Sequence, residues 1–183
     1  MRKGLIISGN LAQDHEFIYP YYRLLEEGYE VDVCLLEGVP VKGILGTALP
    51  PNKQQEVKKI EDVNIEDYKV LVLPGGVKAM EKVRQEKKII KFISEFDKQK
   101  KIIGCICSAA QLLISAKVVK GRKIAGYYSM KDDLINAGAI YTDLPAVIDQ
   151  KYYNDRSLQR YGSLDESCHS KTIPINLKNN ERI

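Results

Sequence analysis

The chain has no tryptophan and only two histidines, His15 and His169. An imidazole-rich metal centre therefore lacks its usual ligands. Cys105 and Cys107 are spaced C-x-C and not as a zinc knuckle, so no metal is expected, and no cofactor. The four cysteines fall at spacings that give no disulfide framework and point to reduced thiols in a cytoplasm. No apolar run reaches the roughly 20 residues of a membrane span. Met1-Arg2-Lys3 leads into a short apolar strand, not a signal peptide. Charge of one sign is not gathered anywhere. The net charge is +4, with lysines interleaved among glutamates, which describes a solvated surface and not a nucleic-acid stripe. Repeats and low-complexity linkers are absent too. With 183 residues, 44% of them hydrophobic, the chain reads as one domain with an ample core.

What is present is a series of short apolar runs separated by helical patterns. Gly4–Ser8, Tyr29–Leu36 and Lys69–Leu73 read as buried strands, the last as the clearest central one. Phe17, Ile18, Tyr21, Leu24 and Leu25 repeat at helical spacing after Asp14, a candidate cap. Gly28 ends that helix and Pro20 lies early inside it. Gly38 to Leu49 reads as a hairpin or short excursion, and Pro50 to Asp62 as polar and weakly structured. Helices are expected over Lys78–Arg84, Glu86–Gln99 and Met130–Ala137, with late strands at Ile124–Gly126, Ala139–Thr142 and Ala146–Asp149. Strand and helix alternate, which predicts a doubly wound, mostly parallel α/β sheet sandwiched by helices.

The stretch that carries chemistry is Lys101–Leu113, KIIGCICSAAQLL. A buried strand with Cys105 in its core runs without a linker into helix-forming residues, and Cys107 stands at the join. A strand-to-helix turn lifts a side chain above the sheet, at a helix start where unpaired N–H groups favour an anion. A thiol so placed is a candidate nucleophile; a buried structural cysteine is the alternative. Pro74-Gly75-Gly76 follows the central strand, and two glycines there let backbone N–H groups approach a ligand.

Taken together, FIYPYYRLLEEGYEV (17–31), VLVLPGG (70–76), CICSAAQLLISA (105–116), GRKIAGYYSMKDDLINAG (121–138) and AVIDQKYYNDR (146–156) resemble the DJ-1/PfpI (ThiJ/PfpI) superfamily, closest to the PfpI-type intracellular cysteine peptidases. The resemblance implies a flavodoxin-like fold of the class I glutamine amidotransferase kind and Cys107 as nucleophile. It also implies an oxyanion site from the N–H groups of Gly75, Gly76 and Ser108, and a dimer or ring of dimers. Tyr127 falls in a segment that borders the family's pocket. Ser108 stands where the peptidases carry a histidine, and Glu81 fits the acid that a neighbouring subunit supplies to it. Gln13 is read here as standing at the family's glutamate, with Asp14 and Glu16 aimed elsewhere by the helix. A serine next to the nucleophile is no base, and an amide does not titrate. His15 on the first loop reads as a surface residue. The functional expectation is a cysteine peptidase or hydrolase acting on a small peptide or reactive carbonyl. The alternatives are a redox or stress-response protein with an oxidisable Cys107, a glyoxalase or deglycase, and a catalytically silent member of the fold.

The family-like stretch ends near Arg156, so the domain is placed at residues 1–157 with an atypical tail at 158–183. Read one nucleotide later, codons compatible with Gln159 onward spell K-D-M-V-L-W-M-K-A-V-I-P-K-L, which supplies the tryptophan-bearing helix that the family carries at this point. The tail is accordingly read as frameshifted, which leaves Cys168 and His169 with no inherited role. Sequencing the gene across the Ser157 and Leu158 codons is expected to find one extra base in a proline codon; an uninterrupted frame with no family-like second reading refutes it.

Overall fold

The computed structural model describes residues 2–149 and 152–155, so the expected tail and its boundary lie outside the described residues. The chain begins with strand β1 (Arg2–Ser8), helix α1 (Asp14–Glu26) and strand β2 (Tyr29–Leu35). A small hairpin of β3 (Val41–Lys42) and β4 (Ala48–Leu49) follows, then a short strand β5 (Val57–Lys58) and the central strand β6 (Tyr68–Leu73). Helices α2 (Val77–Val83) and α3 (Lys87–Lys98) lead to β7 (Ile102–Ile106) and α4 (Ala110–Ser115). The last elements are β8 (Lys123–Ile124), α5 (Lys131–Asn136), β9 (Ile140–Tyr141), β10 (Ala146–Asp149) and β11 (Tyr152–Asp155).

Seven strands form one sheet in the order β10-β11-β7-β6-β1-β2-β5. All neighbours run parallel except β10 against β11. This is the doubly wound α/β architecture that the alternating pattern predicts. Leu5, Ile6 and Ile7 of β1 and Val70, Leu71, Val72 and Leu73 of β6 are all buried, on both faces of their strands. Only a sheet covered on both sides buries consecutive residues, which is why these strands read as continuous apolar runs. β1 has β2 on one side and β6 on the other, so the winding reverses there. The loops at the carboxyl ends of β1, β6 and β7 open at that reversal, the position where sheets of this kind bind ligands.

The structure departs from the sequence reading in three places. Asp14 does not cap α1; Gln13 holds the cap position and makes no side-chain cap bond. The Asp14 carboxylate instead accepts from the N–H groups of Leu45 (2.8 Å) and Thr47 (3.1 Å), which ties the β3–β4 hairpin to the start of α1. Burial works against its charge, but these bonds outweigh burial and hold its pKa below the usual carboxylate value. Second, β8 pairs with β9 in a separate two-stranded sheet and stays out of the main one. Third, the polar stretch 50–62 yields an edge strand, β5, where Lys58 reaches into the sheet.

Lys58 Nζ lies 2.8 Å from Asp32 Oδ2, and Tyr68 donates its hydroxyl to the same oxygen at 2.8 Å. Asp32 is 7% exposed. Burial alone would raise its pKa, but the bonds from Lys58 and Tyr68 outweigh it and hold the carboxylate below its ordinary value. A lowered carboxylate pKa contributes stability that is complete above the unfolded value near 4 and is lost as pH falls through the folded one. Asp32→Asn is therefore expected to cost about 1–3 kcal/mol at pH 7. The cost should shrink toward zero in acid, which denaturant melts of both proteins from pH 7 to pH 3 would show.

Candidate active site

β7 delivers Cys107 at its carboxyl end, and a single 3₁₀ turn, Cys107–Ala109, joins the strand to α4. Cys107 has φ of +56°, in the left-handed region that a side chain occupies only at a cost. That twist is what turns the chain from strand to helix within one residue and lifts the thiol off the sheet, as at other nucleophile elbows. Cys105, two residues earlier, is 2% exposed, and burial pushes its thiol well up, with Cys107 and Glu16 adding to the effect. Cys34 is fully buried and its thiol is pushed up to about 12, first by burial. Cys107 alone of these three is partly exposed, and none of them forms a disulfide. The expectation of one accessible and two core thiols matches this geometry.

The largest difference from the sequence reading concerns α1. Glu16 is not aimed away; it is 1% exposed, and its Oε2 accepts from the Gly75 N–H at 2.9 Å. A methyl group placed on Gly75 would come within 2.4 Å of Glu16 Oε2, 2.9 Å of Cys107 Cβ and 3.0 Å of the Ile106 carbonyl oxygen. Carboxylate, cysteine and glycine thus crowd one point. Helical side chains tilt toward the helix N-terminus, so a residue in the first turn of α1 reaches back over the ends of β1 and β6. Gln13 lines the same cavity from its rim, while its backbone N–H donates to the Gly75 carbonyl at 3.1 Å. Glu16, not Gln13, is the residue of this segment whose side chain meets Gly75 beside Cys107.

The signal for Glu16 was present in the sequence. Glu16, Pro20 and Leu24 are four residues apart and share one buried helix face. A carboxylate on such a face, one turn from a strand end, marks a site.

Gly75 N–H is committed to Glu16, so it does not serve an oxyanion; of the three donors expected, the N–H groups of Gly76 and Ser108 remain as candidates. Gly76 has φ of +105°, and a methyl group there would stand 2.7 Å from Gln13 N and 2.8 Å from Ala12 Cα. Glycine is required at Gly76 both for its backbone conformation and for the close approach of the β1–α1 loop. The Ser108 side chain is 1% exposed, and its hydroxyl has no hydrogen-bond partner. It turns into the protein and offers no proton carrier to Cys107. Glu81 lies on the exposed side of α2 and does not line the cavity, and neither does the exposed His15.

The cavity has a volume of about 450 Å³. Cys107 and Glu16 form its floor, and Tyr127, Lys78 and Ile44 stand around it. Ile44 comes from the hairpin that Asp14 ties down, and its N–H donates to the Ala12 carbonyl at 3.0 Å. Leu11, also in the wall, has φ of +66°. Tyr127 stacks obliquely on Tyr128 with ring centres 4.3 Å apart. Its hydroxyl pKa is pushed up to about 12 by the bond to Tyr128, then by burial and the nearby Cys107. Ile44 and Lys78 were not singled out by sequence reasoning, because a hairpin tip and a helical lysine carry no motif.

The model of the DJ-1/PfpI family matches residues 2–159. "Deglycase PfpI" of Pyrococcus furiosus is 37% identical over 154 residues, covering 84% of this chain and 89% of the relative. A Bacillus subtilis relative that carries a cysteine-protease name, YraA, is 34% identical, covering 85% of this chain and 89% of its own. Among solved structures, DJ-1beta of Drosophila melanogaster superposes with a TM-score of 0.76 at 26% identity, over 86% of this chain and 83% of that one. The nucleophile-elbow geometry and the extent of these matches agree: this chain belongs to the DJ-1/PfpI family.

Proposed function

We propose that the protein is a cytoplasmic, cysteine-dependent enzyme that acts on adducts of small reactive dicarbonyls, a deglycase-type hydrolase. The observation that carries this reading is the convergence of the Glu16 carboxyl group and Cys107 on Gly75 in one cavity that, among the described residues, no histidine lines. Peptide hydrolysis needs a base that loads the thiol and an acid strong enough to expel an amide nitrogen. Ser108 supplies neither. An aminocarbinol, formed when an amine adds to methylglyoxal, has a far better leaving group, and a carboxyl group suffices to protonate it. The relative from Pyrococcus furiosus bears a deglycase name, which supports the same choice.

Cys107 Sγ forms a bond to the carbinol carbon while the C–N bond breaks. Glu16 takes the thiol proton and passes it to the departing amine. The same carboxylate then moves a proton from the first carbon to the second, while the hydroxyl proton passes from the first oxygen to the second, which turns the hemithioacetal into a lactoyl thioester. Water hydrolyses the thioester, releasing lactate and restoring the thiol. One water is consumed, no electrons leave or enter, and no cofactor is required. Tyr127 donates to the substrate oxygen, and Ile44 covers its methyl end. A dimer or larger ring belongs to the same proposal, with Glu81 on an outer face where a second copy would meet it.

Methylglyoxal-treated N-acetylarginine incubated with the protein is expected to yield lactate. Cys107→Ala should abolish this yield, and a fluorogenic peptide should remain intact with either protein. Cys107-dependent peptide cleavage without lactate overturns the assignment in favour of a peptidase. If neither product forms while peroxide oxidises Cys107 selectively, the protein is a thiol sensor.

A further inference from the structure

A second concave site lies on the far end of the helix that starts at Cys107. α2, α3 and α4 enclose a groove of about 380 Å³ walled by Arg84, Lys87, Lys91 and Lys117, with the hydroxyls of Ser94 and Ser115 between them. Four basic residues line it, all of them exposed. The one carboxylate in the wall, Glu95, is drawn to Lys98 at 2.7 Å. By contrast Lys88, on the same helix as Lys87 and Lys91, is paired with Glu61. Among the described residues none of the four groove cations makes a salt bridge.

Arg84 is fixed by neutral partners. Its Nε and Nη2 donate to the Ser115 hydroxyl at 3.1 and 3.0 Å, and its Nη1 donates to Gln111 Oε1 at 3.3 Å. Gln111 is 5% exposed, so the anchor is built into the core. A guanidinium held in place by neutral groups keeps its charge for a ligand, and Nη1 and Nη2 each keep one further N–H to donate. The Ser115 hydroxyl accepts from Arg84 and so has its own proton left to donate. Lys117 has φ of +59°, a left-handed turn that ends α4 beside the groove.

We propose that this groove binds the phosphate dianion of a small phosphorylated metabolite. A carboxylate ligand would leave most of the positive charge unmatched. A phosphate monoester carries close to two negative charges at neutral pH and three acceptor oxygens. Arg84 and Ser115 bind the terminal oxygens, Lys87, Lys91 and Lys117 neutralise the charge, and the remaining volume takes a small organic group.

The test is a titration of the full chain with inorganic phosphate, then with a sugar phosphate, followed by amide NMR shifts at constant ionic strength. Saturable shifts confined to Ser94, Ser115 and Lys117 are expected. Affinity should fall about tenfold in Arg84→Gln, the loss of one charge-assisted contact. Labelling of Cys107 should be unchanged in that variant, showing that it is folded. Shifts that do not saturate, that sodium chloride reproduces, or that persist in Arg84→Gln overturn the proposal. Binding of a DNA duplex with no response to phosphate also overturns it, and assigns the face to nucleic acid.

Discussion

Glu16→Gln is expected to lower kcat for lactate formation by 10²- to 10⁴-fold, the range that a positioned proton carrier contributes, with KM little changed. The amide oxygen of glutamine can still accept from the Gly75 N–H, which Glu16 now bonds at 2.9 Å. The floor of the cavity then keeps its shape and the melting temperature stays close to that of the parent. What the amide cannot do is take the thiol proton and hand it on. Gln13→Ala provides the contrast. Gln13 sits at the rim and its structural bond is made by its backbone, so its side chain should matter by about threefold or less. The reverse outcome, an active Glu16→Gln and an inactive Gln13→Ala, would return the functional role to Gln13. Steady-state kinetics on the two variants, beside iodoacetamide labelling of Cys107, separates the cases.

The second large effect is expected at Gly75. Its backbone is not in the left-handed region, so alanine there is not excluded by φ. The exclusion is steric and local: the new methyl would meet Glu16 Oε2 at 2.4 Å and Cys107 Cβ at 2.9 Å. Either the carboxylate or the elbow must move, and the buried bond from the Gly75 N–H is lost with the first. Overpacking together with a broken buried hydrogen bond is expected to cost about 3 kcal/mol, with turnover lowered about 100-fold or more. A suppressor follows from the same distances. Glu16→Ala in the Gly75→Ala background removes the nearest clash and should recover about 1–2 kcal/mol of stability while leaving activity absent. Additive losses in the double variant would show that the two residues do not share this space. Denaturant melts of the four proteins complete the cycle.

The parts of this molecule legible from sequence are those where local pattern and tertiary role coincide. Leu5–Ile7 and Val70–Leu73 read as strands because a sheet covered on both faces demands unbroken apolar runs. Cys107 stands out in the sequence because a buried strand runs into helix-forming residues there with only one short turn between them. Glu16 was misplaced because a carboxylate on the apolar face of α1 contradicts the helix pattern, and such local contradictions occur where function overrides packing. β5 was hidden for a related reason. Two residues have no periodicity, and the strand is held by the Lys58–Asp32 pair across 26 positions. The hairpin that brings Ile44 to the cavity was expected, but its destination was not, since the tie runs from Asp14 to the N–H groups of Leu45 and Thr47.

The left-handed backbone at Cys107 has a consequence for how this protein would age in a lineage. A β-carbon at φ of +56° costs of order 1 kcal/mol against glycine, so the elbow holds conformational energy that the rest of the fold must supply. Reactivity and robustness are then opposed at a single codon. A copy of the gene released from its chemistry gains stability by exchanging this cysteine for glycine, and the loss of function would come as a better-folded protein and not as a damaged one.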